Sequence, residues 1–152
     1  MTTVRHLARA IGSTAATTPA YAVDVRVGRH QLTADEPPGN GGGDVGPSPF
    51  GLLVSALAAC TVNTLRMYAA RKGWDLLPIS VDVRYDVLDD GERTIARTIT
   101  VPADVSAEQR QHLGEIAGRT PVTLALRAGT RINTTFEARG LDGTADQRTT
   151  WS

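Results

Sequence analysis

Cysteine, lysine, aromatic residues and net charge are all scarce in this chain. One cysteine, Cys60, stands among 152 residues. No intrachain disulfide can form, so the thiol is a core filler, a one-thiol reagent or an intermolecular partner. Acids and bases balance at 16 each, which leaves no electrostatic footprint for nucleic acid or an anionic membrane. Lys72 is the only lysine, so the positive charge is arginine almost throughout. No apolar run is read as approaching the roughly 20 residues of a membrane span. The opening residues carry Arg5 and Arg9 but no apolar stretch of signal-peptide length. A lone cysteine without such a signal leads us to expect a cytoplasmic protein. His6, His30 and His112 are scattered, with no pair at metal-ligand spacing, so neither a metal nor a cofactor is expected. Ser48 and Ser55 lack the elbow context of a hydrolase nucleophile.

What is present reads as one α+β domain over residues 1–138, followed by a polar, aperiodic tail over 139–152 expected to be disordered. Residues 21–27 alternate apolar and polar, as a half-buried strand does, and His30 to Ala34 is a candidate return strand. The loop over 35–48 contains Gly41-Gly42-Gly43-Asp44, but it lacks the Gly-Lys-Ser/Thr ending of a phosphate loop. A flexible connector is the better reading.

Next comes the best-defined element. Ser48 suits an N-cap and Pro49 the first helical position, and no breaker follows until Gly73. The predicted helix over 49–72 would be about 35 Å long. Leu53, Ala56, Leu57, Cys60, Thr64, Met67 and Tyr68 recur at helical spacing on one expected face. Ala56, Ala59, Cys60 and Thr64 are small, so the helix is expected to be central or interfacial. Ile79 to Val87 alternates as a strand, Asp89-Asp90-Gly91 marks a turn, and Arg93 to Val101 returns. Ser106 and Gln109 form a capping box for a second helix ending at Gly118, and Thr120-Pro121 opens a third. A last strand is expected from Thr130 to Phe136, and Trp74 is read as a packing anchor.

Several strings together resemble a known family. They are Asp35-Glu36-Pro37, Gly46-Pro47-Ser48-Pro49-Phe50, Leu57-Ala58-Ala59-Cys60-Thr61, Thr64 to Ala69, and Arg71-Lys72-Gly73-Trp74. With Glu115-Ile116-Ala117 and Thr120-Pro121-Val122 they are similar to the OsmC/Ohr family of osmotically inducible and organic hydroperoxide resistance proteins. The resemblance covers roughly residues 20–137. It implies an intertwined homodimer, with antiparallel sheets wrapped around long central helices. It also implies thiol-dependent peroxidase chemistry on small organic hydroperoxides, with an external thiol as reductant.

Carried over residue by residue, the resemblance makes Cys60 the reactive thiol. The position of the family's second cysteine is Thr120, and that of its acidic residue is Gly51. The thiolate-tuning arginine is assigned to Arg29, with Arg26, Arg5 and Arg9 as alternatives. Without a partner thiol, a sulfenic acid at Cys60 needs an outside thiol or oxidises further. An arginine beside a thiolate stabilises it, whereas apolar neighbours leave the thiol inert. The alternative expectation is therefore a non-catalytic member whose interface pocket holds a small apolar ligand or serves the dimer.

Overall fold

The computed structural model describes residues 6–14, 20–139 and 145–151. Strands β1 (Ala10–Thr14), β2 (Val23–Val27) and β3 (His30–Ala34) form an antiparallel sheet in that order. Helix α1 (Pro49–Lys72) leads into a hairpin of β4 (Ser80–Val87) and β5 (Arg93–Thr100). Then come α2 (Ala107–Ala117), α3 (Pro121–Ala128) and a ribbon of β6 (Thr134–Arg139) with β7 (Ala145–Trp151).

Cap chemistry sets the ends of α1. The Ser48 hydroxyl accepts the Gly51 N–H at 3.1 Å, and Pro49 fills the first position, where a missing donor costs nothing. At the other end Gly73 takes φ 67°, in the left-handed region. The Trp74 N–H then reaches back to the Ala69 carbonyl at 2.9 Å, satisfying an end group that the helix cannot. Ser106 and Gln109 make the expected reciprocal capping box on α2.

The face of α1 that packs within the chain differs from the expected one. Leu57, Thr61, Leu65 and Ala69 are buried, a stripe at strict four-residue spacing. From the expected face only Leu57 joins it, while Ala56 and Met67 stay exposed and Cys60 is half-buried. Thr61 can lie in the buried stripe because its hydroxyl donates to the Leu57 carbonyl four residues back at 2.7 Å. Leu65 and Ala69 join Leu76, Val105, Leu113 and Ala117 in the core, under a rim that includes Tyr68, Trp74 and Ile99. Trp74 anchors that rim, stacked on His112 at 6.3 Å and edge-on to Tyr68 at 5.7 Å.

Further corrections concern polar ribbons and the apolar run. The last strand begins at Thr134 rather than Thr130, and Ala145–Trp151 pairs with it where a structureless tail was expected. The second of these strands, Ala-Asp-Gln-Arg-Thr-Thr-Trp, shows no apolar alternation for a sequence reading to find. Strand β1 was passed over because Ala-Ile-Gly-Ser-Thr is short and mostly small. By length and composition α1, 24 residues long, is apolar enough to cross a bilayer, contrary to the expectation that no run comes close. A central helix of a globular domain needs the same composition, and the Leu57–Ala69 stripe is buried on protein.

Gly51 occupies the third helical position, where an acid would complete a capping box with Ser48. A Cβ there would lie 3.3 Å from the Ser48 hydroxyl oxygen and 3.7 Å from Pro47 Cβ, so the Ser48 side chain must give by a few tenths of an ångström. Gly51→Glu is expected to stabilise the chain by about 0.5–1 kcal/mol, through the cap, the helix dipole and the lost glycine entropy. A thermal melt reads this directly, and an unchanged or lower Tm would show that the new carboxylate finds no partner.

Candidate functional site

The β4–β5 hairpin lays one face on α1. Val81, Val83 and Tyr85 are half-buried on β4, opposite Ile99, Arg97 and Ile95 in the register of β5. Arg97 therefore occupies a slot that its neighbours fill with isoleucine. Its Nη1 donates to Thr61 Oγ1 at 3.0 Å and to Thr123 Oγ1 at 3.1 Å, and its Nη2 donates to the Ala117 carbonyl at 2.9 Å. One guanidinium thus ties together α1, α3 and the end of α2.

Proton counting orders the hydroxyls around it. Thr61 Oγ1 donates to the Leu57 carbonyl at 2.7 Å, leaving its lone pairs for Arg97. Thr123 Oγ1 donates to the Ala117 carbonyl at 3.2 Å, which leaves Thr120 as the donor in the 2.7 Å contact between Thr120 and Thr123. Thr120 Oγ1 in turn accepts the Thr123 N–H, the N-cap bond of α3. Among the described residues, no buried side-chain nitrogen or oxygen lacks a partner.

Cys60 lies beside this network, one residue before the fully buried Thr61. Burial draws the pKa of Arg97 down, the neighbouring positive charge of Arg127 adds to that, and Cys60 pulls in the opposite direction. The guanidinium nonetheless remains protonated at any ordinary pH.

The expected site residues separate. Cys60 adjoins Thr61, which accepts from Arg97, and Thr120 is buried and joined to Arg97 through Thr123. Gly51 sits nine residues before Cys60, about 14 Å along the helix axis. Arg29 is exposed in the turn between β2 and β3, Arg26 and Arg9 are also exposed, and Arg5 lies outside the described residues. Sequence reasoning missed Arg97, Thr61 and Thr123. The available signal was the alternation Ile95-Ala96-Arg97-Thr98-Ile99, which puts a charge on an inward, apolar face.

A second polar feature explains the glycine-rich loop. The Asp35 carboxylate is buried and accepts N–H bonds from Glu36 at 2.8 Å, Gly43 at 2.9 Å and Val45 at 3.2 Å. The loop amides turn toward their own carboxylate rather than toward a ligand. Burial alone would raise the pKa of this carboxyl, but the backbone donors at Val45, Glu36, Gly43 and Asp44 together hold it below the ordinary 3.8. A depressed folded-state pKa means stabilisation present above the unfolded value and lost as pH falls through the folded one. Asp35→Asn is expected to loosen the loop at neutral pH and to remove this part of the acid sensitivity. Limited proteolysis between about pH 7 and about pH 3 checks it; a wild-type acid profile retained in the variant would rule it out.

Comparison with known proteins follows from this geometry. A family model described as OsmC-like protein matches residues 41–135. An OsmC-like protein of Mycoplasma pneumoniae superposes with a TM-score of 0.63 at 18% identity, covering 82% of this chain and 89% of the other. The organic hydroperoxide resistance protein OsmC of Legionella pneumophila gives 0.61 at 17% identity, covering 82% and 92%. The organic hydroperoxide resistance protein OhrB of Bacillus subtilis gives 0.55 at 22% identity, covering 80% and 91%. A search among curated proteins finds no match.

Proposed function

The chain belongs to the OsmC-like protein family, and from that premise we propose that it is a one-cysteine, thiol-dependent reductase of small organic hydroperoxides. The observation that carries this reading is the place of half-buried Cys60 on α1, next in sequence to Thr61, whose hydroxyl accepts from the Arg97 guanidinium at 3.0 Å. In this proposal Arg97 is the cation that faces the attacking sulfur and the peroxide. Two of the similar structures, from Legionella pneumophila and Bacillus subtilis, bear the description organic hydroperoxide resistance protein.

In the proposed cycle the Cys60 thiolate attacks the terminal oxygen of R–O–OH. The O–O bond breaks, a sulfenic acid forms at Cys60, and the alkoxide leaves as the alcohol after taking a proton. Thr120 stands where the resemblance puts the second cysteine, and its hydroxyl is engaged as a helix cap. An external thiol therefore condenses with the sulfenic acid, releasing water, and a second external thiol reduces the mixed disulfide. This chemistry uses no metal or cofactor. A reducing compartment, the cytoplasm, suits it.

The working unit in this proposal is a homodimer formed across the exposed face of α1. Phe50 and Met67 on that helix are 57% and 59% exposed in the single chain, and Ala56 and Ala59 are exposed with them. Thr120 and Gly51 favour the competing reading, a non-catalytic member that holds a small apolar ligand at this interface.

Trapping the oxidised thiol decides between the two. Cumene hydroperoxide followed by dimedone is expected to add one dimedone mass to the wild-type chain and none to Cys60→Ser. A Cys60 that stays unmodified in the folded protein yet reacts after unfolding would make the thiol a packing residue, and the binding reading would take over.

A further inference from the structure

Beside the Arg97 network the hairpin, α1 and α3 line a half-open pocket of about 320 Å³. Its walls are of two kinds. Leu57, Ile95 and Leu126 are apolar, while Arg93, Arg97 and Arg127 bring three guanidiniums to the same space. Among the described residues no carboxylate forms an ion pair with any of the three arginines.

Part of that charge has an internal partner. Arg97 bonds the Ala117 carbonyl and Arg127 bonds the Gly118 carbonyl at 3.2 Å, so both sit at the negative end of α2. A helix terminus offers about half an elementary charge, which leaves most of three positive charges uncompensated. After burial, the positive charge of Arg127 is the next cause that lowers the pKa of Arg97, and it reflects the same excess. Three hydrogen bonds already engage Arg97, whereas Arg127 shows one and Arg93 none among the described contacts. Arg93 and Arg127 therefore have forked N–H groups free for a planar anion.

We propose that this pocket binds a small organic carboxylate, its head group held by Arg93 and Arg127 and its hydrocarbon tail laid against Leu57, Ile95 and Leu126. An inorganic anion would satisfy the charge and leave the apolar half wet, while a neutral hydrocarbon would do the reverse. The volume falls at the small end of ligand pockets and suits a short hydrocarbon tail. The inference goes beyond the peroxidase reading, because binding needs neither the thiol nor a peroxide.

Calorimetric titration of the full chain at low salt with octanoate, octanol and sulfate tests it. Octanoate is expected to bind saturably and at least about tenfold more tightly than either control, an affinity that falls as salt rises. Arg127→Gln is expected to weaken octanoate at least about fivefold while leaving octanol unchanged. Arg93→Gln repeats the test at a residue whose side chain makes no hydrogen bond among the described residues. Cys60→Ser is expected to bind octanoate like the wild type, so a failure of the thiol chemistry does not affect this result. Equal affinity for octanoate and octanol, equal affinity for octanoate and sulfate, or no saturable binding would each overturn the proposal.

Discussion

Arg97→Met is expected to cut the reaction of Cys60 with organic hydroperoxide about 100-fold while changing folding stability by no more than about 1 kcal/mol. The two halves of that result rest on different terms. Losing three charge-assisted hydrogen bonds should destabilise, each being worth roughly 1.5–3 kcal/mol when its acceptor is left bare. Here none is left bare. Thr61 keeps the Leu57 carbonyl, Thr123 keeps Thr120 and the Ala117 carbonyl, and that carbonyl keeps Thr123. On the other side, methionine removes a partly buried charge that faces Arg127 and fills a slot flanked by Ile95 and Ile99. Replacing a buried charge with a well-packed apolar side chain is often neutral or stabilising.

The thiol has no such compensation, because the guanidinium coupled to it would be gone. A stopped-flow measurement of thiol loss with cumene hydroperoxide, paired with urea melts, separates the two terms. Arg97→Lys should fall between wild type and methionine, keeping the charge and losing the fork. A large stability loss in Arg97→Met would make the network purely structural. Unchanged reactivity would move the activating role elsewhere, and Arg29→Met is then the variant to measure beside it.

The contrast between Arg97 and the helix ends shows what a sequence can reveal. Ser48-Pro49, Ser106 with Gln109, and Thr120-Pro121 each start a helix where expected, because a cap is a transaction between residues three apart. The turn at Asp89-Asp90-Gly91 is equally local, and the Asp90 carboxylate accepts the Glu92 N–H at 2.9 Å. Arg97 has no local partner. Its three acceptors lie 36, 26 and 20 residues away on three other elements. Only its inward register marks it, and that requires knowing which face of the hairpin is buried. A strand was expected across the start of β6, but its partner β7 was not, because Ala-Asp-Gln-Arg-Thr-Thr-Trp offers no apolar period for pattern reasoning to detect. Asp35 lay inside a string used for the family resemblance, yet its role as acceptor of loop amides depends on a fold-back of ten residues to Val45.

Ala59→Arg is expected to convert a dimer into single chains. The structure sharpens this prediction, because Ala59 is exposed on α1 and an arginine there meets no wall within its own chain. Substitutions at such positions usually alter monomer stability by no more than about 0.5 kcal/mol. Any larger effect must come from what covers the face in the assembled protein. A second α1 lying across Ala56, Ala59 and Met67 would bring backbones close over small side chains, and a desolvated, unpaired guanidinium there costs several kcal/mol. Light scattering behind a sizing column should give the wild type twice the 16.1 kDa chain mass. The variant should run at the single-chain mass or as an unfolded species, since β1–β3 and β6–β7 form separate small sheets that depend on what else packs against them. A wild type that runs as a single chain, or an Ala59→Arg variant that stays dimeric, would show that this face of α1 is not the interface.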